Sequence, residues 1–191
     1  MKRIVVLSLL LLSLLVMGCG FFSKSQSKFY SLDRLPPSAP PAATRGLPVA
    51  IDGVELPPGL DRREFVVRLA NQQLQVRPNE QWSASLQPLV LHTLACDFAD
   101  RLPEGMVILP GASRPSGALR AIDIVFEDFI AGPDAKVVLD GRWIVRVSGQ
   151  PDVTHHERIS VDIASLDSAN VASGTSQAVA AFADRIVAGL R

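Results

Sequence analysis

His92, Cys96 and Asp100 stand at successive steps of four, a spacing that stacks an imidazole, a thiol and a carboxylate along one stripe of a helix, as a soft metal site would. The set offers three ligands and needs a fourth from elsewhere, and Cys96 fits an apolar helix stripe equally well as a small buried residue. His155 and His156 are neighbours in a segment of strand period, where consecutive side chains point to opposite faces, so they do not share one ion and are expected at the surface. Acyl transfer would need an activated serine or thiol, and no G-x-S-x-G turn is present. The serines of SGTSQ and GASRPSG have the setting of turn and cap residues. Gly105, Gly111 and Gly117 lie in a proline-rich loop without the strand, glycine, helix order of a phosphate cradle. The sequence therefore predicts no catalytic residue, no metal and no cofactor.

The residue with assignable chemistry is Cys19. It closes the run MKRIVVLSLLLLSLLVMGC, in which Lys2 and Arg3 precede an apolar stretch from Ile4 to Val16 broken only by Ser8 and Ser13. A spanning helix needs about 20 apolar residues, so the run is short for a membrane span and has the layout of an export signal. Val16 and Gly18 ahead of the cysteine resemble the lipobox of bacterial lipoproteins. That resemblance implies cleavage after residue 18, a diacylglycerol on the Cys19 thiol and acylation of the new amine. Several acyl chains make attachment effectively permanent, at about 0.8 kcal/mol per buried methylene. Gly20 in place of an aspartate after the cysteine resembles the default outer-membrane address of Gram-negative lipoproteins.

The elements follow from periodicity. The whole chain balances 19 basic against 19 acidic residues, and removing residues 1–18 takes away only Lys2 and Arg3, which leaves a slightly acidic chain without the clustered basic charge that phosphate backbones require. With Cys19 lipidated, Cys96 has no partner for an intramolecular disulfide. Residues 19–47, ending in PPSAPPAATRGL, are expected to form a lipidated N-terminus and extended tether. Within it, Phe21 and Phe22 suit the bilayer interface, and Phe29–Leu32 suits an edge strand. Residues 48–191 are expected to form one domain, opening on a strand with Val49 and Ile51 on one face. Phe65–Leu69 and Leu74–Val76 suit a hairpin, after a loop where Asp61 and Arg62-Arg63 are expected in solvent. A stripe of Trp82, Leu86, Leu89, Thr93 and Cys96 predicts a helix over 81–102, with Asn79–Trp82 as its cap and Pro88 in its first turn if the helix proper begins near Leu86. Three alternating segments, 120–128, 137–147 and 155–163, predict antiparallel strands with one wet face. Val179, Phe182, Ile186 and Leu190 predict a last helix from Thr175 or Ser176. The sum is an α+β fold, a two-layer sandwich of a mainly antiparallel sheet with two helices on one face.

FYSLDRL soon after Cys19, PVAIDGVELPPGLDRREFVVR at the head of the domain, NQQLQVRPNEQWSASL running into a helix, and a late strand pair before an alanine-rich helix together resemble the PqiC/YmbA family of ABC-type transport auxiliary lipoproteins. The resemblance covers nearly the whole chain after the signal. It implies a non-enzymatic periplasmic domain, lipid-anchored to the outer membrane, that partners an MCE-domain protein and through it a permease and an ATPase in lipid transport between membranes. An adaptor role is the expectation, with a lipid-binding carrier or a structural lipoprotein assisting another envelope complex as the alternatives. Homo-oligomers are compatible with it, and the partner-binding residues stay unassigned.

Overall fold

The computed structural model describes residues 26–39 and 46–190. The expected signal peptide, Cys19, Phe21 and Phe22 lie outside the described residues. Eight strands and two helices follow in the order β1 (Lys28–Tyr30), β2 (Val49–Glu55), β3 (Glu64–Arg68), β4 (Leu74–Trp82), α1 (Leu86–Arg101), β5 (Val107–Ile108), β6 (Arg120–Gly132), β7 (Lys136–Val147), β8 (Val153–Asp162) and α2 (Ser168–Gly189).

The mainly antiparallel sandwich is corrected here: the protein is α+β with a single curled sheet of mixed direction. β6 pairs antiparallel with β7, and β7 with β8. The other side of β6 is shared, β2 running parallel along Arg120–Val125 and β3 touching it in parallel at Ala131. β3 continues antiparallel to β4, β4 takes β1 in parallel, and β2 takes β5 in parallel. Short turns between consecutive strands reveal only hairpin neighbours, whereas parallel partners are joined by long crossovers that leave no local mark. The hairpins read from turn residues are present, with Leu69 N–H donating to the Gln73 carbonyl at the first of them, 2.8 Å.

α1 and α2 pack against each other and against the sheet, α1 beside β2 and β5, α2 beside β7 and β8. The core between them is built on Phe65, Phe98, Phe182, Leu94, Ile122, Ile124, Leu139 and Ile186, all under 2 % exposed. Burying such side chains stabilises by roughly 1.5–3 kcal/mol each. Alternation puts Ile122, Ile124 and Phe126 inside, and Asp123 and Glu127 outside. On that outer face Arg146 pairs with Asp123 and Asp152, Arg142 with Glu127, and Arg158 with Asp140. α2 comes close to the sheet at Gly174, where a Cβ would meet Ile163 Cγ2 at 2.4 Å and Val137 Cγ2 at 2.9 Å.

The cap of α1 and the start of α2 differ from expectation. Trp82 ends β4 and stacks on Phe65 at 4.1 Å, so Asn79–Trp82 is strand and not a cap. α1 opens at Leu86, which leaves Pro88 in the first turn, where a missing N–H breaks no helical bond. α2 opens at Ser168, ahead of the expected Thr175, because Asp167 accepts from Asn170 N–H at 3.0 Å and starts the helix before its apolar stripe. Folded backbone also extends ahead of the expected start at Pro48, since β1 adds the FYSL segment to the sheet.

Candidate functional site

The predicted chemical residues do not come together. His92 is exposed, with Nε2 at 3.6 Å from Cys96 Sγ. Asp100 turns instead to Arg34, whose guanidinium forks onto both carboxylate oxygens and holds that carboxyl below the usual aspartate range. Cys96 is half-buried rather than part of the core. The arc expected to hold it carries Asp97, which is fully buried. His155 stacks on Trp143 at 4.9 Å while His156 reaches Asp140 at 2.8 Å, so the two imidazoles take opposite faces. Asp61 is exposed, as expected, and also accepts from Gln87 N–H at 3.1 Å, while Arg62 supplies its carbonyl to Leu86 N–H at 3.3 Å. The loop thereby caps α1, whose own N-cap Ser85 makes no side-chain bond. Arg63 lies over the Phe29 ring, 5.9 Å from its centroid.

What the fold does bring together is the segment Lys28–Leu35, a strap, and the cleft between the helices. β1 lays Lys28–Tyr30 beside Glu80–Trp82. Tyr30 meets the edge of the Phe65 ring at 5.1 Å, and Ser83 N–H donates to the Tyr30 carbonyl at 2.7 Å. Leu32 is buried among the core side chains. Asp33 N–H donates to Ser176 Oγ on α2 at 3.0 Å. Leu35 is held by both main-chain groups: its N–H donates to Asp97 Oδ1 at 3.2 Å, and its carbonyl accepts from Arg101 Nη1 at 3.2 Å. Pro36 follows, which favours the extended backbone that Leu35 needs in order to present both groups.

Asp97 and Arg101 form the seat. Arg101 is 2 % exposed and donates to Asp184 Oδ1 at 2.6 Å, to the Ala180 carbonyl at 3.2 Å and to the Asp97 carbonyl at 3.0 Å. Its guanidinium lies 3.4 Å from Asp97 Oδ1, while Asp97 Oδ2 is buried without a partner. Burial therefore pushes the Asp97 carboxyl up to about 6, against the opposing pull of Arg101 and the Leu35 N–H. A signal for this pair was present in the sequence. Leu86, Val90, Leu94, Asp97 and Arg101 keep helical spacing, so an acid and a base four apart occupied the inner arc of α1.

Two solved structures share this architecture. A crystal structure titled only as an uncharacterized protein superposes with a TM-score of 0.69 at 19 % identity, covering 87 % of this chain and 99 % of that one. A Xanthomonas campestris protein of the DUF330 family superposes at 0.66 with 17 % identity, covering 84 % and 92 %. At such identity the likeness concerns the fold. None of the curated proteins matches the sequence. The model of the family described as ABC-type transport auxiliary lipoprotein component matches residues 30–187, from Tyr30 in β1 to Val187 in α2, and the chain belongs to that family. Among the described residues no helix is long and apolar enough to cross a membrane.

Proposed function

We propose that the chain is lipidated at Cys19, sits on the periplasmic face of the outer membrane, and works without catalysis as an adaptor between that membrane and an MCE-domain protein with its permease and ATPase. The observation that carries this reading is the family match over residues 30–187, which begins shortly after the lipobox-like cysteine. The strap adds support, because it fastens the segment following the anchor directly to the core. Among the described residues, the hollow beside Leu60, Trp82, Phe129 and Val171 measures about 20 Å³, room for a water and not for an acyl chain. Larger hollows, about 260 Å³ beside Leu91 and Arg114 and about 180 Å³ beside His155, open to the surface.

The test is capture from detergent after mild crosslinking, comparing the native chain with Cys19→Ser. The native chain is expected to recover an MCE-domain protein. Cys19→Ser is expected to fold normally yet fail to support envelope integrity in cells. Full activity of the unlipidated variant, or no MCE-domain protein in repeated captures, would overturn the reading.

A further inference from the structure

We propose that residues 28–35 act as a detachable strap whose seating sets how far the domain stands from its membrane anchor. The inference rests on Cys19 being that anchor. Lys28 stands nine positions after Cys19, a stretch that spans about 30 Å at full extension. Val49, the start of β2, stands thirty positions after Cys19, a stretch of about 100 Å. With the strap seated the domain is held close to the bilayer, and with it released the reach more than triples.

Three features make the strap separable from the rest of the fold. Its seat has holds of its own, since Arg101 donates to Asp184 and to the Ala180 and Asp97 carbonyls, none of which belongs to the strap. Its hold is local: a three-residue strand, one buried aliphatic plug at Leu32, hydrogen bonds at Asp33 and Leu35, and the ion pair from a half-exposed Arg34. Such a set opens with far less free energy than the shared core of β6, β7 and the helices. Leu35, finally, is recognised through its N–H and carbonyl by a carboxylate and a guanidinium, a contact made or broken as one unit.

Hydrogen exchange on the lipidated chain, purified in detergent, tests the seating. The Asp33 and Leu35 amides should be protected, yet exchange at least tenfold faster than the paired amides of β6. Leu32→Ser should speed both by a further tenfold or more while β6 stays unchanged. Leu35→Pro, which removes the N–H held by Asp97 without touching the core, should do the same at Asp33. Neutron reflectometry of these proteins on a supported bilayer should then show the variant layer standing tens of ångströms further out. Strap amides that exchange no faster than β6, or released variants whose height is unchanged, would overturn the proposal. Absence of lipid on Cys19 by mass spectrometry would overturn the anchor and the reach together, separately from the exchange result, which reads the seating alone.

Discussion

Asp97 is a carboxylate with one oxygen engaged and the other buried unpartnered, so its free energy depends on pH more than that of any ordinary surface acid. Its folded-state value near 6 lies above the ordinary aspartate range. The stabilisation from holding that proton is therefore fully present below about pH 4 and is lost as pH rises through 6, a difference of about 3 kcal/mol. Asp167 works in the opposite direction in a lower window. Bonds from Ser165 and from Asn170 N–H hold it near 2, so its contribution is lost only as pH falls from about 4 towards 2. Thermal unfolding should accordingly show Tm rising by roughly 5–10 °C between pH 7.5 and 4.5. Asp97→Asn should flatten that rise, and an unchanged pH dependence in the variant would refute the assignment. Composition could not reveal this residue. The helical spacing placed Asp97 on the inner arc of α1, but the apolar stripe drew attention to Cys96, one position away and only half-buried.

At the scale of elements, the strands β6 to β8 were legible because each has one wet and one dry face, and alternation records that directly. The helix starts were less so. α1 receives its cap from Asp61, a residue 26 positions away from the Gln87 amide it accepts, and a cap supplied from another loop leaves no signature beside the helix. Asp61→Ala is therefore expected to cost about 1 kcal/mol, and Ser85→Ala close to nothing, in paired urea titrations. The reverse order would show that the local residue does the capping. The first two turns of α2 carry no helical signal, because Ser173-Gly174-Thr175-Ser176 has the composition of a turn. There the low helix propensity serves packing. Thr175 and Ser176 return their hydroxyls to the Val171 and Ala172 carbonyls, and Gly174 admits Val137 and Ile163 against the helix backbone.

The whole molecule is organised by β6, which was recognised as a strand but not as the junction of the fold. Its hairpin with β7 could be inferred from the turn at Gly132-Pro133-Asp134, while its parallel contacts with β2 and β3 join residues more than sixty positions apart. That arrangement has a temporal consequence. β2 and the β3–β4 hairpin are synthesised first, yet neither can be incorporated into the sheet until residues 120–132 have arrived. Early collapse into the native core is thus barred by topology, and folding of such non-local pairings is slow. A chain ending at residue 118 should show no protected amides in hydrogen exchange at residues 53–55, which pair with β6 alone, and native-like protection there would contradict this order. On the lipoprotein reading proposed above the chain crosses a membrane before it folds, and a sheet whose centre is made late leaves β2 and β3 without their β6 partner during that passage.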